Sequence, residues 1–407
     1  MRYYLLFLFG ILAFFHVPIL EMDGDGIGIF DVVSIPVFLF ALYDLQKQRH
    51  NLTIAPRDFI SVLFFTGFIT VCIISFLECL FAGKEIQIFQ YALFLKQLQY
   101  LMLLLAAWVL VPESRAGRLL FHLSVANIFL LFALALVKVQ FTHEWIRLSL
   151  PFKSGESPNP AGFILSCSLL FVVFSLYNRS ISINPTTKML IFGTIAAGLI
   201  ALAYSRSRTN SLALVITTIL YLTSKNIGHP KRLISAVVAF CAISLLGWVF
   251  YDRFGVSYGE FPLRYLTSPK VLLEDSSFMM RVNETWFRGL SGFRSGYFQM
   301  LFGLGLGTIR YNDGLYPALL FGTGVLGALF YICALVLFLL RGSPEFKALL
   351  VFILLNGVTV ETTLNSFRVM QVILPMVVFL IKEYKHDVRR FRRKPALRER
   401  YTLSRLP

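Results

Sequence analysis

Apolar residues in this chain come in blocks about as long as a bilayer is thick, and the charged residues collect in the gaps between them. Crossing the hydrocarbon core as helix takes about 20 consecutive apolar residues. Runs of that order lie at 3–20, 27–44, 59–82, 88–111, 119–139 and 160–177 in the first half. The second half adds 187–204, a shorter run at 209–223, then 232–250, 314–340, 346–360 and 366–382. The pattern predicts an all-α polytopic integral membrane protein with about 12 transmembrane helices. One long stretch, 251–313, leaves the pattern and is expected to be an extracytoplasmic loop where chemistry would sit.

Composition agrees, since 57% of the residues are hydrophobic and the mean hydropathy is +0.71, against roughly 45–50% apolar residues in soluble domains. With apolar runs along nearly the whole length there is no room for a separate soluble catalytic domain, so functional groups belong on loops and helix ends. No fixed-period repeat or low-complexity linker divides the chain, which predicts one transmembrane domain over 1–407 with a basic tail at 383–407. The net charge of +16 speaks first to topology. Arg2, Lys47, Arg49, Arg57, Arg115, Arg118, Arg179, Lys188, Lys225, Lys231, Arg232, Arg341, Lys347 and the basic tail all fall on one set of alternate connections, and basic residues concentrate on the cytoplasmic side. Both termini are therefore predicted to be cytoplasmic. The tail suits anionic headgroups, and no nucleic-acid partner is implied. Cys72, Cys79, Cys167, Cys241 and Cys333 lie inside apolar runs, with no spacing that suggests a disulfide or a metal. The first run lacks a small-residue cleavage site and reads as a retained helix.

Several polar residues break the pattern. Lys96, Gln97 and Gln99 sit inside the fourth run, where a charge is either functional or neutralised by snorkelling or by a carboxylate such as Glu78. The tight turn Tyr204-Ser-Arg-Ser-Arg-Thr209 puts Arg206 and Arg208 on the side where basic residues are disfavoured. Guanidinium forks match phosphate oxygens, and the helix beginning after the turn favours the same charge; the alternative is an ordinary connecting turn whose arginines snorkel. On that outer face the connection 140–159 holds His143, Glu144, Arg147, Lys153 and Glu156, and Asn159-Pro160 is suited to open the next helix.

Within the long loop, 276–294 reads as an amphipathic segment with Arg281, Trp286 and Arg288, of the kind that lies on a lipid surface. Gly303-Leu-Gly-Leu-Gly307 lacks the strand and lysine of a phosphate-binding loop, so its glycines point to tight backbone turning. Arg310-Tyr-Asn-Asp-Gly314 follows, where Asp313 is either an N-cap or a base for a hydroxyl, and then Tyr316 in the first turn of the next helix.

The order of these features, Ser207-Arg208-Thr209, Asp275 to Arg281 and Trp286, the glycine run, then Asp313-Gly-Leu-Tyr316 and Gly324-Val-Leu-Gly327, resembles the O-antigen polymerase and ligase superfamily, the Wzy-like and WaaL-like proteins. The likeness covers 159–327. It implies a membrane glycosyltransferase with a GT-C-like helical fold in the bacterial inner membrane, acting at the periplasmic face on oligosaccharides linked through diphosphate to undecaprenol. In that light Arg208 and Arg281 would neutralise the donor diphosphate and Asp313 would stand where the ligases carry a histidine, a departure that favours a polymerase. Arg206, Arg288, Arg310, Asn159 and Tyr316 are the surrounding substrate-binding candidates. No cofactor and no metal is implied. The partners would be the lipid-linked donor and acceptor, the bilayer and, optionally, a chain-length regulator. The alternatives are a ligase transferring glycan to a lipid A core and, in another class, a polytopic transporter or flippase.

Overall fold

The computed structural model describes residues 7–12, 18–20, 27–47, 56–81, 88–142, 159–176, 184–205, 207–226, 279, 286–305, 314–357 and 367–393. These residues are almost entirely helical. Residues 7–12 form a short helical stretch. They are followed by α1 (Ile29–Lys47), α2 (Pro56–Phe81), α3 (Ile88–Leu110), α4 (Glu113–Thr142), α5 (Asn159–Ser175), α6 (Pro185–Ser205) and α7 (Arg208–Asn226). Beyond these lie α8 (Phe287–Phe293), α9 (Tyr297–Phe302), α10 (Leu315–Arg341), α11 (Pro344–Gly357) and α12 (Phe367–Arg393). Four of the described helices, α1, α4, α6 and α10, are long and apolar enough to cross a membrane over Ile29–Lys47, Glu113–Val137, Pro185–Ser205 and Leu315–Leu337. Thr66–Glu78 and Pro160–Ser175 are shorter apolar helices. The predicted run 232–250 lies outside the described residues, as do most of the loop 251–313 and the tail beyond Arg393.

Two elements differ from the sequence expectation. The first apolar run does not continue as helix to residue 20: Pro18–Leu20 is a short strand, antiparallel to Ile27–Gly28, with Pro18 opposite Gly28 and Leu20 opposite Ile27. Proline cannot supply a helical N–H, and its ring disfavours the α-region at Val17 before it. At the other end of the chain α12 continues past residue 382 to Arg393, because the drop in hydropathy there marks the end of apolar side chains rather than the end of a helix.

The core is centred on α5, where Phe163, Ile164, Leu165, Cys167, Leu169, Leu170, Phe171 and Val172 are all buried. A helix apolar all round belongs inside a bundle, and α5 is surrounded by α4, α6, α7 and α12. α6 approaches α5 closely through Gly198, where a Cβ would stand 2.6 Å from Leu169 Cδ2. Phe163 meets Phe352 of α11 at 5.2 Å between ring centroids, and Phe174 meets Tyr221 of α7 at 4.6 Å. α10 packs along α2, and α12 along α3 and α4.

Polar contacts join helix ends. Lys225 at the end of α7 pairs with Glu345 at the start of α11 at 2.6 Å, and Tyr221 Oη donates to the same carboxylate at 3.1 Å. Lys382 of α12 donates to the carbonyls of Trp108 and Val111 at the end of α3, where a helix leaves its last carbonyls without intrahelical partners. Its ammonium also lies over the Trp108 ring, 5.5 Å from the centroid.

Candidate active site where five helix ends meet

The turn between α6 and α7 is held by a buried network of small polar side chains. Asn210 Nδ2 donates to Ser207 Oγ at 2.6 Å, Ser166 Oγ of α5 donates to the Asn210 carbonyl at 3.4 Å, and the Ser207 N–H donates to Ser205 Oγ at 3.3 Å. Ser166, Ser205 and Asn210 are fully buried and Ser207 nearly so. α5 enters this network at Gly162, where a Cβ would lie 2.7 Å from Ser207 Cβ and 2.9 Å from Asn210 Nδ2. The turn therefore needs glycine opposite it, and it places Arg208 as the first residue of α7.

The end of α11 joins this turn to the start of α10. On one side Asn356 Nδ2 donates to Asn210 Oδ1, and Asn356 is fully buried. On the other, a Cβ at Gly357 would lie 2.7 Å from Leu315 Cβ, and Tyr316 Oη donates to the Leu354 carbonyl at 3.0 Å. The starts of α5, α7 and α10 and the ends of α6 and α11 thus meet at one place. The start of α7 and the start of α10, far apart in sequence, are seated on the same four residues of α11, 354–357.

The last part of the long loop is docked on α10. Leu304 N–H donates to the Phe321 carbonyl at 2.7 Å and Gly305 N–H to the Gly322 carbonyl at 3.1 Å. These partners lie about 10 Å along α10 from its start. α10 is broken there: Gly324 has φ +67° and ψ −175° inside the helix. A Cβ on Gly324 would stand 2.3 Å from the Leu301 carbonyl oxygen, and one on Gly303, at φ +85°, would stand 2.5 Å from the Gly322 carbonyl. The two glycine motifs therefore serve one contact, backbone laid on backbone. Ser75 of α2 also donates to the Gly322 carbonyl, at 3.3 Å, and Gln299 of α9 donates to Glu78 at the end of α2 at 3.1 Å. Ahead of this, the described part of the amphipathic segment is α8, with Phe287 and Arg288 exposed and Gly289 and Phe293 buried. Phe293 packs against Phe321 at 5.9 Å.

Lys96 is neutralised by a carboxylate, one of the readings its position left open. It pairs with Asp31 in the first turn of α1, and Glu78 bonds instead to the loop. Gln99 and Gln371 also donate to Asp31 Oδ1, at 2.9 and 3.0 Å, and the Gly28 N–H donates to Oδ2 at 2.8 Å. One carboxylate thus ties α1, α3 and α12 together. A buried charge needs such a set of partners because its desolvation is otherwise uncompensated.

Of the remaining candidates, Asn159 is the first residue of α5 as its capping chemistry suggests, Tyr316 anchors to α11 and Arg288 is exposed on α8. Arg206, Arg281, Arg310 and Asp313 lie outside the described residues. Sequence reasoning missed Gly162, Asn210, Asn356, Asp31 and Gln371. For the four polar residues the available signal was an amide or acid inside or at the edge of an apolar run, akin to the one that drew attention to Lys96. No protein-family model matches this chain, and no curated protein does.

Proposed function

We propose that this protein is a membrane glycosyltransferase of twelve crossings, GT-C-like and with both termini cytoplasmic, that joins polyprenyl-diphosphate-linked oligosaccharide repeats at the extracytoplasmic face of the bacterial inner membrane. The observation that carries this is the convergence at α11: the helix that starts with Arg208 and the helix that starts just after Asp313 are both anchored to 354–357. Such a transfer needs basic groups for the diphosphate and a carboxylate for the acceptor hydroxyl. The acceptor hydroxyl oxygen bonds to the anomeric carbon while the carbon–oxygen bond to diphosphate breaks, its electron pair leaving with the diphosphate. Arg208 and Arg281 stabilise that leaving charge, and Asp313 receives the hydroxyl proton. Because the donor is already activated, no nucleotide site is needed.

The test is purified protein with the host's lipid-linked repeat unit, without nucleotide or divalent metal, resolved by chain length. A ladder is expected, and Arg208→Ala should reduce its rate roughly 10²-fold, the effect of losing one such stabiliser. Full activity in Arg208→Ala combined with Arg281→Ala would overturn the assignment. Transfer only after a lipid A core acceptor is added would make the protein a ligase. One observation favours a transport reading, since broken membrane helices line transport paths. The carbonyls at the break in α10 already accept bonds from Leu304, Gly305 and Ser75, so they are used within the protein. Inertness with both acceptors would turn the case toward transport.

A further inference from the structure

We propose that Asn356 and Asn210 are positioning residues that set the separation between the arginine turn and the helix start that follows Asp313. This rests on the glycosyltransferase reading and adds to it two residues that the sequence motifs do not contain. Both amides are fully buried, so neither is placed to touch a lipid-linked sugar. Their bond to each other links α7 and α11 at this end of the two helices, while Lys225 and Glu345 join the opposite ends. From Asn210 the link continues to Ser207 at 2.6 Å, one residue before Arg208. From Asn356 it passes to Gly357, packed against Leu315, and to the Leu354 carbonyl that holds Tyr316. The pair thus sits between the start of α7, which opens with Arg208, and the start of α10. A misplacement of about 1 Å between two catalytic groups costs roughly 10²-fold in rate. Asn356 Oδ1 has no hydrogen-bond partner among the described residues, so burial of this amide carries an unrecovered desolvation cost, which packing alone would have removed by using leucine.

The expected signature separates rate from binding. Asn356→Leu keeps the branched shape of the side chain and removes the link. It should lower kcat for chain extension roughly 10²-fold while KM for the repeat unit, and affinity for bare polyprenyl diphosphate, stay within about threefold. The melting temperature should fall as well, because the buried Asn210 Oδ1 loses the donor that Asn356 gave it, so the rate and binding are read on the folded protein. Asn356→Ser, which retains a short donor, is the second variant and should fall between the two. Gly162→Ala, pressing on the turn from the α5 side, should reproduce the same signature. Equal loss of kcat and of affinity, or wild-type kcat in both Asn356 variants beside a wild-type ladder, would overturn the positioning role and leave the polymerase standing. A wild-type protein inert with either acceptor would remove the polymerase reading, and this inference with it.

Discussion

At the scale of single residues, the polar side chains inside the bundle divide by what they hold. Asp31 gathers Lys96, Gln99 and Gln371 on one oxygen, so removing one partner is worse than removing the pair. Lys96→Met should strand the carboxylate, at a cost of about 3–5 kcal/mol, and lower the melting temperature in detergent. Asp31→Asn with Lys96→Met should recover much of that loss; a double variant as unstable as the two single effects added would refute the coupling. Lys382→Met should also destabilise, by about 1.5–3 kcal/mol for a charged donor to carbonyls, since Trp108 and Val111 then lose their partner. That Lys96 needed explaining was legible from one charge in an apolar run. Its partner was not, because Asp31 and Glu78 both stand at helix ends and only the packing of α1 on α3 decides between them.

At the scale of elements, helix positions were read well wherever an apolar run had the length of a bilayer crossing, as at α3, α4 and α6. They were read poorly where backbone chemistry overrode hydropathy, at Pro18 and along the basic end of α12. The glycines show the same divide. Gly303 reads as a turn residue in sequence and has a positive φ, whereas Gly324 reads as a helix residue and breaks the helix with a positive φ; what no local pattern shows is that they face each other. Gly324→Ala and Gly303→Ala should each cost at least about 1–3 kcal/mol from backbone strain alone, with the 2.3 Å and 2.5 Å contacts adding to it. Gly193 on α6 is the control: no atom lies within 4 Å of its missing Cβ, so Gly193→Ala should stabilise by about 0.5–1 kcal/mol. Thermal unfolding of the three variants side by side checks the contrast.

At the scale of the whole molecule, the charge distribution predicts sidedness, and the helix-end contacts say which ends belong together. Arg208, the Asn210 and Asn356 pair and the start of α10 share one end, while Lys225 and Glu345 join the opposite ends of α7 and α11. A membrane-impermeant thiol reagent applied to intact cells should therefore label Ser157→Cys, in the connection before α5, and spare Ser182→Cys, in the connection after it. The reverse pattern would invert the topology and move the proposed site to the cytoplasm. The positions of the described helices follow the apolar runs, and so stand in the sequence. Neighbour relations, such as α11 between α7 and α10, are decided by side-chain fit at Gly162, Gly357 and Asn356 and do not.

The break at Gly324 also bears on how the chain enters its membrane during synthesis. The first piece of α10, from Leu315 to Thr323, rises about 13 Å, less than half of a hydrocarbon core of about 30 Å. Its last carbonyls are taken by residues 304 and 305, which the ribosome makes first. Residues 304 and 305 can therefore dock only once α10 has followed them. A chain truncated just before residue 325 would leave a half-length helix and its docked strap with nothing beneath them, and should be a preferred substrate for membrane quality-control proteases.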